Sequence, residues 1–156
     1  DEDVPLEFSI RLAEQARDAN QIADLYTYEG DNHNISGNFS TAMQRTIELV
    51  ESVGHAHDIR FPMQGTVAIS DGATVWALRY SSQGQSRSLF HSADISALRQ
   101  MYPDVERLQT FGERAHVIVS EPLNDLPGAF LEVPESTAVV LDKSGYRHMP
   151  FNPSGS

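Results

Sequence analysis

The chain has 156 residues, 40% of them hydrophobic and 21% charged, which suits one ordinary soluble domain. Acidic residues outnumber basic ones 22 to 11, and a net charge of −11 disfavours phosphate backbones and anionic lipid surfaces as partners. The absence of cysteine excludes disulfides, thiolate metal sites and a cysteine nucleophile from these residues, and it makes the cytoplasm the default compartment.

The acidic start, Asp1-Glu2-Asp3, resembles neither a secretory signal nor a transit peptide. Because the first residue is not Met, the chain is expected to be processed or part of something longer. Leu6 to Tyr26 carries apolar residues at helical spacing behind Pro5, which predicts a first helix. Residues 29–38 are dense in turn formers and read as a loop. Ser40 is a good N-cap for a second helix, with Met43, Ile47, Val50 and Val53 along one side and Gly54 as its left-handed stop. Thr66–Ser70 and Thr74–Tyr80 flank Asp71-Gly72, a tight-turn signal, and predict a hairpin. Ser88–His91 reads as a short strand, and Ala93–Tyr102 as a helix stopped by Pro103. His116–Ser120 is nearly continuous in apolar residues, which predicts a strand buried on both faces. Ala129–Val133 and Thr137–Leu141 predict two more strands, and residues 142–145 turn the chain into 146–149. Strands joined by short turns, with helices gathered mainly at one end of the sequence, imply a layered α+β fold with antiparallel sheets. A single domain is expected over 1–151, with 152–156 as a flexible tail.

Three groups of residues invite a chemical reading. His55 and His57, with Asp58 beside them, offer two imidazoles and a carboxylate, the donor types of a metal-dependent hydrolase. Imidazoles also suit a helix end, where a cationic group favours the dipole, and that is the commoner explanation. Ser120 and Glu121 stand where a strand meets a loop, a frequent position for functional side chains. No Gly-x-Ser-x-Gly elbow supports a serine nucleophile, since the stretch 84–88 lacks the second glycine. Arg79 interrupts an apolar strand, so it either turns to solvent or requires a carboxylate partner, for which Glu121 is the candidate.

Residues 68–81, AISDGATVWALRYS, resemble the hairpin of stand-alone bacterial class II glutamine amidotransferases of the YafJ type. QSRSLFHS at 85–92, VSEPL at 119–123 with DLPGA at 125–129, and VPES at 133–136 are similar to three further blocks of that family, in the same order. The match covers roughly Met43 to Phe151. The resemblance implies part of an N-terminal nucleophile hydrolase fold, a four-layer αββα sandwich with two antiparallel sheets face to face. It implies hydrolysis of the amide of glutamine or of a γ-glutamyl compound. A cysteine at the mature N-terminus attacks the carbonyl while its own α-amine takes the proton. This chain has no such cysteine, so the resemblance extends to a C-terminal portion of the family that is inactive by itself. By the same resemblance Asp1 is a candidate for holding the substrate amine, and Arg79, Ser120 and Glu121 support the site structurally. No cofactor is implied. The implied partners are a glutamine-like small molecule in the complete protein, and a complementary N-terminal half or a second copy. A non-catalytic binding or regulatory subunit is the alternative reading.

Overall fold

The computed structural model describes residues 5–31, 35, 37–113, 115–122 and 126–153. The chain divides into two compact units, Asp1–Ala42 and Met43–Ser156.

In the first unit, α1 spans Leu6–Asp18 and buries Ala13. It ends eight residues before the expected Tyr26. Asn20 takes a left-handed backbone (φ +56°), and the amides of Gln21 and Asn20 return to the carbonyls of Ala16 and Arg17. This closing motif satisfies the last carbonyls and stops the helix, with asparagine in the role glycine usually fills. Farther on, the Asp31 carboxylate accepts from the amides of Gly37 and Asn38 at 2.9 and 3.0 Å, which pins the chain just before α2.

Helix α2 (Phe39–Ala56) crosses from the first unit into the second. Its inward stripe runs through Met43, Ile47, Glu51 and Gly54, while Val50 and Val53, expected inside, stay exposed. Gly54 does not end the helix. Asp58 does, at φ +60°, with the amides of Ile59 and Asp58 bonded to the carbonyls of Gly54 and His55. Gly54 is there for space instead, because a Cβ at that position would sit 2.2 Å from Cβ of Pro62.

The second unit is a stack of two antiparallel sheets. One holds β1 (Gln64–Ser70), β2 (Val75–Ser81), β6 (Thr137–Asp142) and β7 (Gly145–Pro150) in the order β1-β2-β6-β7. The other holds β3 (Phe90–Ser92), β4 (Ile118–Val119) and β5 (Phe130–Glu132) in the order β4-β3-β5. Strand alternation sorts the cores. Leu78 and Tyr80 of β2, with Ala138 of β6, point towards α2 and meet Ile47, Met43 and Phe151. Ala77, Val139 and Leu141 point the other way and meet Leu89, Val133 and Ile118. On the far side of the small sheet, α3 (Ile95–Met101) and α4 (Glu106–Gln109) bury Ile95, Leu98 and Leu108 with Ala129 and Phe130. The layers therefore run α2, large sheet, small sheet, α3–α4.

Local chemistry accounts for most boundaries. The hairpin loop has four residues rather than two, since Ser70 faces Val75. The Asp71 carboxylate closes it by accepting from the amides of Ala73 and Thr74. Asp94 caps α3 through the amides of Ser96 and Ala97. The strand expected over 116–120 shrinks to Ile118–Val119 and is half-buried. Beside it, the Ser92 amide donates to the Val117 carbonyl, but the Val117 amide turns to the Ser92 hydroxyl, so the backbone pairing there is only half made. Helix α4 was not anticipated.

Candidate functional site

Arg79 is the centre of the best-built polar cluster in the second unit. It lies on the face of β2 that meets the small sheet, and its side chain is 11% exposed. Nε donates to the Ser86 hydroxyl at 2.9 Å, and Nη1 donates to the Val133 carbonyl and to Glu132 Oε1, the latter at 2.7 Å. Glu135 Oε2 stands 3.8 Å from Nε and accepts from both the amide and the hydroxyl of Ser86. Burial works to raise the Glu135 carboxyl, but the Ser86 hydroxyl and amide, Arg79 and the Ser136 amide outweigh it. The net shift is downward and the group is held as the anion.

The expected Arg79–Glu121 pair does not form. Glu121 and Ser120 are exposed, and Glu132 and Glu135 take the guanidinium instead. Ser120 takes part through its backbone, its carbonyl accepting from the Ser88 hydroxyl at 2.8 Å. The arginine cluster and the separate Ser88–Ser120 bond thus link the four stretches singled out in the sequence. Arg79 belongs to the first, Ser86 and Ser88 to the second, Ser120 to the third, and Val133 and Glu135 to the fourth. Glu132 and Glu135 were missed as partners, although Glu135 stood inside a quoted stretch. Carboxylate spacing gave no reason to prefer them over Glu121, because a strand pairing decides which carboxylate reaches the arginine.

A second cluster gathers rings between the sheets. His91 of β3 is buried and stacks on Tyr146 of β7, with centroids 3.7 Å apart and planes at 12°. Tyr146 also meets His148 at 5.4 Å. Burial pushes His91 down from its ordinary value. Its Nδ1 bond to the Ser92 carbonyl opposes that, and the nearby His116 and His148 push it down further. His91 is therefore neutral near pH 7, with Nδ1 as the donor. Burial likewise raises the Tyr146 hydroxyl. Nδ1 of His116 is buried without a hydrogen-bond partner. Sequence reading passed over all three imidazoles, which are 25 or more positions apart and meet through sheet packing alone.

His55 and His57 lie exposed at the closing turn of α2. Among the described residues no group of three histidine, cysteine, aspartate or glutamate side chains is arranged to hold a metal ion, so the metal-dependent alternative finds no ligand set there. Asp1 lies outside the described residues. Among the described residues no helix is long and apolar enough to cross a membrane.

No family model matches the sequence, and no curated protein matches it. The fold does match a solved structure, a glutamine aminotransferase class-II domain protein from Silicibacter pomeroyi, with a TM-score of 0.60 and 23% identity. The superposition covers 77% of this chain and 47% of that one, so the chain spans about half the length of the structure it resembles. The fold is α+β with antiparallel sheets and is class II glutamine amidotransferase-like.

Proposed function

We propose, taking the class II glutamine amidotransferase-like fold as premise, that this chain is the later part of an enzyme hydrolysing the amide of glutamine or of a γ-glutamyl compound. The attacking cysteine belongs to a segment that these residues do not include. The observation carrying this reading is the fold match itself, which takes in most of this chain and less than half of the neighbour, together with the absence of any cysteine. In such a reaction the thiolate adds to the amide carbonyl, ammonia leaves, and water releases glutamate from the thioester. These residues include no cysteine, so on this reading the piece alone is inactive.

What these residues contribute is a rigid backing. The guanidinium of Arg79, held by Ser86, Glu132, Glu135 and the Val133 carbonyl, locks the large sheet to the chain leading into the small one. A site carried on the missing strands needs such support, because small misplacements of a nucleophile cost large factors in rate. On this reading Arg79 and, through its carbonyl, Ser120 are supporting residues and not catalytic ones, while the exposed Glu121 has no part in the cluster. The complete protein would take a glutamine-like small molecule and work in the cytoplasm.

Two experiments bear on this. The coding DNA immediately upstream should continue in frame to a Met-Cys start, and a stop codon directly before the codon for Asp1 would count against the reading. The chain joined to that upstream segment should release ammonia from glutamine and lose that activity on alkylation of its thiol; the 156-residue chain should release none.

A second reading is a non-catalytic subunit completed by a separate nucleophile-bearing chain or by a second copy. It is favoured by β1, an edge strand of the large sheet with Val67 and Ile69 each 37% exposed. Co-purification of a cysteine-bearing partner would support it; a stable, soluble monomer would remove it.

A further inference from the structure

We infer that the cavity between α3–α4 and the outer face of the small sheet binds a small apolar carboxylic acid. The cavity has a volume of about 390 Å³ and is walled by Ile95, Leu98, Leu108, Phe111, Val117 and Phe130. That volume lies within the roughly 300–1,000 Å³ of small-molecule sites. At the ~30 Å³ a water molecule occupies in the liquid, it suits a ligand of roughly a dozen non-hydrogen atoms.

Two polar groups line this otherwise apolar space. Ser92 is 7% exposed, and its oxygen accepts from the Val117 amide at 3.0 Å. Its hydroxyl hydrogen has no acceptor among the described residues, and a buried donor left unused is costly unless a ligand oxygen takes it. Arg107, on α4, is exposed, and its side chain makes no ion pair or hydrogen bond among the described residues. Arg79 and Arg147, by contrast, have carboxylate partners within the fold, and Arg107 is the arginine that lines the cavity. A chain of net charge −11 repels anions in general, so an acid binds where one cation is both free and beside apolar space. A carboxylate at Arg107 with its hydrocarbon body in the cavity meets both conditions. The site stands apart from the Arg79 cluster and does not depend on the amidohydrolase reading.

The test titrates the 156-residue chain with 4-phenylbutyrate and with the uncharged 4-phenylbutan-1-ol, followed by calorimetry. Saturable binding of the acid is expected. Arg107→Gln should weaken the acid about tenfold and leave the alcohol unchanged, since a charge-assisted contact is lost while the apolar wall stays. Ala115→Phe, which fills the cavity, should abolish both. Val105→Phe does the same from another part of the wall if Ala115→Phe fails to fold. No saturation by the acid at millimolar concentration would overturn the proposal. So would binding that survives the filling variant, or an acid affinity indifferent to Arg107→Gln.

Discussion

Replacing Arg79 with methionine keeps the bulk of the strand residue and removes the fork. The Arg79 side chain is 11% exposed and serves three acceptors, the Ser86 hydroxyl, the Val133 carbonyl and Glu132, with the Glu135 carboxylate 3.8 Å away as a second ion-pair partner. Hydrogen bonds involving a charged partner contribute about 1.5–3 kcal/mol, and removing one member of a buried ion pair costs roughly 3–5 kcal/mol. Those figures need discounting here, because Glu132 is 55% exposed and water replaces the lost partner there. The Val133 carbonyl and Glu135 are less accessible, so the net loss should be about 2–4 kcal/mol. In urea, with a slope of about 1–3 kcal/mol/M for a protein this size, the midpoint should fall by roughly 1–2 M at unchanged slope. Glu135→Gln should cost about 1–2 kcal/mol, Glu132→Gln less than about 1, and Glu121→Gln less than about 0.5. A Glu121→Gln variant as unstable as Arg79→Met, with both Glu132→Gln and Glu135→Gln silent, would refute the assignment of partners.

Gly54→Ala gains helix propensity of ~1 kcal/mol but drives a methyl into the ring of Pro62; overpacking of this kind costs about 1–3 kcal/mol, so thermal unfolding should show a lower midpoint. A higher midpoint would mean that the segment at Pro62 yields freely. Asp58→Gly relieves a left-handed backbone at φ +60° and should stabilise by about 0.5–1 kcal/mol in the same assay. The folded state holds His91 below its ordinary value of 6.5, so the unfolded chain binds the extra proton first. The stability this gives is full above pH 6.5 and is lost as pH falls through the lowered folded value. His91→Phe keeps a ring against Tyr146 and should flatten that part of the stability–pH curve; an unchanged slope would place the titration elsewhere.

Arg79 shows how far pattern alone reaches. A charge inside Trp76-Ala77-Leu78-Arg79-Tyr80 left two readings, an arginine turned to solvent or one paired with a carboxylate, and the fold pairs it. Its partner was wrong because Glu121, Glu132 and Glu135 are chemically equivalent as sequence. The pairings β2-β6 and β3-β5 decide which of them arrives. Helix ends were misjudged for a related reason. Asn20 and Asp58 stop α1 and α2 in left-handed geometry, and neither residue type signals a stop as strongly as the Gly54 that lies inside α2.

Alternation and turn residues were enough to give antiparallel sheets and most of the strands, since these follow from the period of side chains along a strand, whereas the stacking of two sheets between helices was implied by the resemblance of the four stretches. Composition settled that no thiol is present. The meeting of Arg79 with Ser86, Glu132 and Glu135, the gathering of His91, His116, His148 and Tyr146, and the cavity beneath α3 were decided by tertiary structure. Those contacts join residues far apart in the chain, and only the stacking of one sheet or helix layer on another fixes which side chains share a space.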